Sequence, residues 1–336
     1  MAGPRIFFLI LDAFDPVRLT PRLTPNLWRW ANADGAATGT GHSVMASSTY
    51  PNHASFATGV PPARHGIWAN HVIRYGEVAG AWDAGPLMPT VFDRYGGDAV
   101  AVLGDHHLVG VMGARAAAAH WPIDGELTPD IALDPLAYPA DEAVLPPLAA
   151  ALATSPRLTV GYFGSIDTYS HIYGPFSDEA EDAYRQVDDR IAHLQSAIDW
   201  NETVILVVSD HTQDTADDRP GIDLRPTIGD ETIVIDEGSA ALLGPLPSPG
   251  VLDEIDGVEG WMGLGDGNFL AWCQRGRAFG AFESPLLKGV HGGIHTRTQL
   301  ALVSGGHPAR RRLTAMVNAG PVPAEAWAGA IAGVLS

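Results

Sequence analysis

The chain has one cysteine, Cys273, in 336 residues. One thiol cannot close an intrachain disulfide and excludes zinc sites built from several thiolates. Basic residues are also scarce, with 20 Lys and Arg against 39 Asp and Glu, for a formal net charge of -19. A nucleic-acid scaffold draws its affinity from Lys and Arg clusters on the phosphate backbone, so this composition excludes that class. A small anionic substrate would need metal cations to offset the protein's own charge. Long apolar runs are missing as well. No window approaches the roughly 18 to 20 residues of a membrane span. The first apolar run, Ile6 to Leu11, is short and ends in an acid, unlike a secretory signal. A cytoplasmic protein with no membrane attachment is the expectation.

What the chain does have is a core and a supply of ligands. Hydrophobic residues make up 46%, while 38 Gly and 26 Pro imply many tight loops between short elements. Thirteen His join the acids as candidate metal ligands. β-rich runs recur at Ile6 to Leu11, Ala99 to Leu103, Leu158 to Phe163, Thr203 to Val208 and Gln299 to Val303, with room for helices between them. That alternation predicts an α/β fold, a mainly parallel central sheet sandwiched by helices. The clearest helix runs from Asp178 to Ile198, with Ala180, Ala183, Tyr184, Val187, Ile191, Leu194 and Ile198 on one face. Further helices are expected at Thr24 to Ala31, Asp141 to Ala153 and Ala324 to Val334. From residue 215 to 288 the pattern changes to Pro- and Gly-rich segments with short β-like pieces, Thr232 to Ile235 and Asn268 to Trp272. This segment reads as a small inserted cap, with residues 1–214 and 289–336 as the catalytic core.

Three strand ends carry ligand-type residues. The first run ends in Asp12, Leu158 to Phe163 runs into Asp167 and His171, and Thr203 to Val208 into Ser209, Asp210 and His211. In open α/β sheets, ligands bind beyond the carboxyl ends of the strands, so these acids should converge. A lone Asp there is more often a turn former or helix cap; three, two of them with a nearby His, weaken that reading. Residues 47 to 59, SSTYPNHASFATG, read as a short helix stopped by Gly59. Thr49 near its start is by base rate an N-cap. The alternative is that the helix N-terminus holds a phosphate over Thr49 while its hydroxyl attacks.

Taken in order, Asp12, the TYPNH of residues 49 to 53, the HGIWAN of 65 to 70, Asp167-x-x-x-His171, Ser209-Asp-His211 and His291-Gly-Gly resemble the motifs of the type I phosphodiesterase and nucleotide pyrophosphatase family, in the alkaline phosphatase superfamily. The resemblance implies an alkaline phosphatase-like fold and two divalent ions. Zinc is favoured by the mixed Asp and His ligands, and manganese would accept them too. Asp167, His171 and His291 would hold one ion; Asp12, Asp210 and His211 the other, which also binds the nucleophile Thr49. Asn70 would hold a phosphate oxygen, with the Tyr50 backbone N–H assisting, and the Tyr50 ring matches a position that stacks on a base in nucleotide-cleaving relatives. The chain departs from the family at Ala13, where Gly is usual, and at Thr212-Gln213, where Gly and an apolar residue are common.

A two-metal phosphohydrolase of phosphodiesters or nucleotide pyrophosphates follows, working through a phosphothreonine on Thr49 and acting on a small phosphate ester or nucleotide. Carbon–phosphorus cleavage of the phosphonoacetate hydrolase kind, or phosphomonoester hydrolysis, is the alternative. Basic pocket residues would favour the phosphonate, and an open aromatic slot at Tyr50 the nucleotide. A catalytically silent metal-binding module has no chemical need for Thr49. Among the other residues, His53 and His65 are expected in supporting roles, His295 in loop packing, His106-His107 in a surface loop and Trp68 and Trp82 in the core. Asp214, Asp217 and Asp218 should form a solvated face at the cap entrance.

Overall fold

The computed structural model describes residues 3–246, 248–280 and 287–336. Its centre is an eight-stranded sheet in the order Val322–Pro323, Ala37–His42, Thr298–Gly305, Thr203–Val208, Arg5–Leu11, Leu158–Phe163, Ala99–Leu103, Ala119–Trp121. Thr298–Gly305 runs antiparallel to both neighbours, and the other pairings are parallel. The mainly parallel α/β sheet expected from the sequence is present.

The central strands are apolar throughout because both faces are covered. In the first strand Ile6, Phe8 and Ile10 enter one hydrophobic cluster, which includes Phe56 and Trp327 from helices Thr49–Thr58 and Ala326–Leu335. Phe7, Leu9 and Leu11 enter the other, with Leu148 and Ile191 from helices Asp141–Thr154 and Asp178–Gln195. The period of two thus splits one apolar run between two layers.

Helix Asp178–Gln195 buries the expected face but stops before Ile198, which still packs on the same cluster from the turn beyond. The Ser177 hydroxyl caps its start by accepting from the Ala180 N–H. Asp188, also on the buried face, reaches across to helix Pro25–Ala31, accepting from the backbone N–H groups of Asn26 and Leu27 at 3.0 and 2.8 Å. Thr24 makes no side-chain capping bond there, so the cap comes from a distant helix.

A separate four-stranded antiparallel sheet comprises Val234–Glu237, Ala240–Leu243, Asn268–Cys273 and Val258–Gly265, with its own apolar cluster around Leu243, Leu252, Ala271 and Phe279. The chain enters and leaves this region through paired strands, Asp214–Thr215 against Gly289–Val290. Residues 247 and 281–286 of the segment expected as a cap lie outside the described residues. Among the described residues, no helix is long and apolar enough to cross a membrane.

Candidate metal centre and nucleophile

Asp12 directly follows the first strand, and its N–H bonds to the Phe163 carbonyl of the adjacent strand at 3.0 Å. Asp167 and His171 lie on helix Ser165–Tyr173. Buried Asp141 fixes the start of that helix, accepting from the Gly164 N–H at 2.9 Å and the Ser165 hydroxyl at 2.5 Å. Asp210 and His211 follow strand Thr203–Val208, and His291 follows strand Gly289–Val290. The ligand atoms of Asp12, Asp210 and His211 lie within 4.8 Å of one another, and so do those of Asp167, His171 and His291. The His211 and His291 rings stack at 3.8 Å, which sets the two groups side by side.

Each of the three imidazoles has its tautomer fixed by the backbone. Nδ1 of His171 lies 2.8 Å from the Gly289 carbonyl, that of His291 3.2 Å from the Ser47 carbonyl, and that of His211 3.2 Å from the Thr212 carbonyl. A carbonyl only accepts, so each Nδ1 carries a proton and each Nε2 faces inward. Nε2 of His171 and Nε2 of His291 are 3.1 Å apart, close enough for both to turn to one cation.

The carboxylates are arranged to match. The Tyr162 hydroxyl donates to Asp12 Oδ2, and the backbone N–H groups of Ala13 and His211 donate to Asp210 Oδ1 at 3.2 and 3.0 Å. The opposite oxygens, Asp12 Oδ1 and Asp210 Oδ2, are buried without a hydrogen-bond partner among the described residues. Each lies 3.5 Å from His211 Nε2. Burial, then the nearby Asp210 charge, pushes the Asp12 carboxyl well above the usual carboxylate range, and burial raises Asp210 as well. Burial pushes His211 down to about 3 and His291 well below the ordinary imidazole value. Neutral imidazoles and charge-starved carboxylates are the donor set that a divalent cation satisfies, so these residues fit metal ions.

Thr49 is the first residue of helix Thr49–Thr58, and Ser48 occupies the N-cap position. The N-cap reading of Thr49 therefore does not hold. Its Oγ1 lies 3.3 Å from His211 Nε2. Gly59 ends the helix in the left-handed region at φ 74°, as expected. The Asn and His of the same motif brace Thr49. Asn52 donates to the Ser48 carbonyl at 2.8 Å, and its Oδ1 accepts from Gln299 Nε2, which also donates to the Asp210 carbonyl at 2.6 Å. His53 Nδ1 bonds the Thr49 carbonyl at 2.8 Å. His65 donates from Nε2 to Ser55 Oγ at 2.9 Å, and burial pushes it down to about 4. The supporting parts expected of His53 and His65 match these positions.

Thr49, Asn70 and the candidate ligands Asp12, Asp167, His171 and His291 open on a cavity of about 110 Å³, with Tyr50, Asp105, Asp134, Tyr138 and Tyr162 also in its wall. No Lys or Arg is among the described residues lining it. Tyr50 is 3% exposed; its hydroxyl bonds His107 Nδ1 at 2.8 Å, and the Trp82 and His107 rings meet it edge-on. Its ring is thus wedged rather than presented as an open slot. The reading of His106-His107 as a bland surface loop needs correcting, because His107 stacks on Trp82 at 4.1 Å and joins the pocket wall through Tyr50. Trp82 accordingly backs the site as well as packing on the core. Asp105, 4% exposed beside His107, is pushed by burial up to about 7.

Several functional contacts had no sequence signal of their own. Tyr162, a polar tip in a buried strand, and Gln299 could have been flagged as polar residues within apolar runs. Asp134 and Tyr138, in an irregular stretch, could not. Ala13, noted as unusual, holds φ 53° in the left-handed region where glycine is favoured. Its N–H nonetheless reaches Asp210, so the loop keeps its shape with a side chain. His295 pairs with Glu259 at 2.6 Å, away from the ligands, and Asp214 and Asp217 pair with Arg275 and Arg219.

Residues 6–254 match the profile of the type I phosphodiesterase / nucleotide pyrophosphatase family. The chain belongs to this family. A stretch of 64 residues is 38% identical to human ectonucleotide pyrophosphatase/phosphodiesterase family member 7, covering 18% of this chain and only 14% of that protein's length. Phosphonoacetate hydrolase from Sinorhizobium meliloti 1021, solved with phosphonoacetate, shares the fold at a TM-score of 0.73 and 19% identity, over 99% of this chain and 96% of that one. Murine ectonucleotide pyrophosphatase / phosphodiesterase 5, an inactive threonine-to-alanine variant solved with AMP, does so at 0.73 and 16%, over 99% and 95%.

Proposed function

We propose that the chain is a two-metal phosphodiesterase acting on small phosphate esters through a phosphothreonine at Thr49. One observation carries this reading. The Thr49 hydroxyl stands at a helix N-terminus, 3.3 Å from His211 Nε2, on the cavity flanked by two sets of inward-facing ligands. Asp12, Asp210 and His211 would hold one ion beside Thr49, and Asp167, His171 and His291 the other; the donor set favours zinc and also admits manganese. Bound there, such ions supply Lewis acidity, lowering the cost of ionising the attacking hydroxyl and offsetting charge on the phosphate.

The chain's own residues do the rest. The bond from His53 to the Thr49 carbonyl and the Asn52–Gln299 link to Asp210 hold Thr49 in place. Free N–H groups in the first turn, that of Tyr50 among them, and the Asn70 side chain would receive phosphate oxygens. In the first displacement Thr49 Oγ1 forms a bond to phosphorus, the ester oxygen leaves, and a phosphothreonine remains. In the second, water displaces Thr49 and releases the phosphate product. Residues 215–288 would act as a cap: Glu237 of the smaller sheet accepts the Asn70 N–H at 3.0 Å and so ties that sheet to the pocket wall.

The cavity wall bears on the substrate. Its volume of about 110 Å³ is below the ~300 Å³ at which drug-sized pockets begin, the Tyr50 ring is covered, and no described lining residue offers a cation to clamp a second carboxylate. These features favour a small phosphodiester over a base-stacked nucleotide or a phosphonoacetate. The test is a panel of phosphodiester, monoester, dinucleotide pyrophosphate and phosphonoacetate with the metal-loaded protein. Diester turnover that Thr49→Ala abolishes without loss of bound metal is expected. Turnover retained in that variant removes the nucleophile, and a preference for phosphonoacetate removes the substrate assignment.

A further inference from the structure

We propose that Gln213 is a positioning residue that orients the Asp167 carboxylate toward His171 and His291, and thereby sets the metal affinity of that group without touching the other. This rests on the two-metal reading above. Gln213 sits two residues beyond His211 and is 7% exposed. Its Nε2 donates to Asp167 Oδ1 and, at 3.2 Å, to the Asp167 carbonyl. Both partners only accept, so the orientation of the amide is fixed by its bonding.

The three acidic ligands then follow one pattern. Tyr162 holds one oxygen of Asp12, backbone N–H groups hold one oxygen of Asp210, and Gln213 holds one oxygen of Asp167. In each case the other oxygen turns to an imidazole of its group; Asp167 Oδ2 lies 3.4 Å from His171 Nε2, and in Asp167 the held Oδ1 also faces His291 Nε2, at 3.8 Å. Asp167 differs from the other two in being only half-buried on the first turn of a helix, where a short side chain keeps its rotamer freedom unless something holds it.

The amide lies close to the backbone of Gly289. A side chain there would begin 2.3 Å from the Ser170 carbonyl oxygen and 2.2 Å from Gln213 Oε1, so the backbone contact alone requires a residue without Cβ, and the amide uses the same space. The carbonyl of this same glycine fixes His171 through Nδ1 at 2.8 Å. Gln213 therefore joins the loop that carries Asp210 and His211 to the helix that carries Asp167 and His171. An apolar side chain of equal length could fill the space but could not hold the carboxylate.

The test compares wild type with Gln213→Met, which keeps length and removes the donor, by titrating zinc against a chromogenic chelator of known affinity. Wild type is expected to bind two ions. Gln213→Met is expected to bind one as wild type does and the other about 10- to 100-fold more weakly, the range for removing an outer partner of a metal ligand. On an Asp167→Ala background, which removes the acceptor that Gln213 holds, the same substitution should change neither affinity further. Equal weakening of both ions, as a general loss of structure would produce, overturns the proposal, and so does wild-type affinity at both sites. Should the single variant fold poorly, the Asp167→Ala pair decides: a further change in either affinity on that background also overturns the proposal. A wild-type protein that binds no zinc overturns the two-metal reading itself, and this inference with it.

Discussion

On the two-metal reading, removing the cations should lower the thermal stability of the protein, and the loss should grow as the pH rises. Ligands that bind only the folded state stabilise it by about 2.7 kcal/mol each at 100 times their dissociation constant. Two ions at that excess contribute about 5 kcal/mol. A chain of 336 residues has an unfolding entropy of about 0.7 kcal/mol per kelvin, so the melting temperature should fall by about 7 °C on chelation. The pH dependence follows from the buried acids. Asp12 and Asp210 have folded-state pKa values raised by burial. In the cation-free protein their contribution to stability is therefore fully present below the unfolded value near 3.9 and is lost as the pH rises through the raised folded values. Bound cations remove that loss. Each proton they must displace weakens their contribution by about 1.4 kcal/mol per pH unit below the folded pKa. His211 and His291 do not add to this competition, because burial keeps both neutral in the fold with or without metal. Differential scanning calorimetry of zinc-loaded and chelated protein from pH 5 to 8 measures the gap directly. A melting temperature indifferent to chelation, or a gap that narrows as the pH rises, would refute the reasoning.

Three substitutions test the supports around the site. Tyr162→Phe removes the hydroxyl that donates to Asp12 and should weaken the ion beside Thr49 by about 10-fold or more in a chelator titration. Asp141→Ala leaves the Gly164 N–H and the Ser165 hydroxyl without their acceptor; a cost of about 1 to 3 kcal/mol in urea unfolding is expected, with turnover reduced because the Asp167 helix loses its anchor. Asp188→Ala removes the distant cap of helix Pro25–Ala31 and should cost about 1 to 2 kcal/mol with turnover unchanged, since Asp188 is no part of the cavity wall.

The sheet was legible in the sequence because strands buried on both faces must be apolar throughout, and Ile6 to Leu11 and Thr203 to Val208 could not be mistaken for loops. The end of the Asp178 helix was not, because Ile198 continues the helical spacing and the apolar contact after the backbone has left the helix. The clustering of the candidate ligands was legible through topology, since parallel strands deliver their ends to one edge and Asp12, Asp167 and Asp210 each follow a strand. The pocket wall was hidden for the opposite reason. Tyr50 and His107 are 57 residues apart and meet only because helix Thr49–Thr58 crosses the loop after strand Ala99–Leu103. Nothing local to His106-His107 distinguishes a surface loop from that contact. The Thr212-Gln213 departure was visible as an oddity; its meaning needed the position of Asp167.

The central claim is that the reaction passes through two displacements, first by Thr49 and then by water. Hydrolysis of a chiral phosphorothioate diester in isotopically labelled water reads this from the stereochemistry at phosphorus. Each in-line displacement inverts the centre, so two successive displacements through a phosphothreonine predict net retention. Net inversion would mean a single attack by water and would contradict the part given to Thr49.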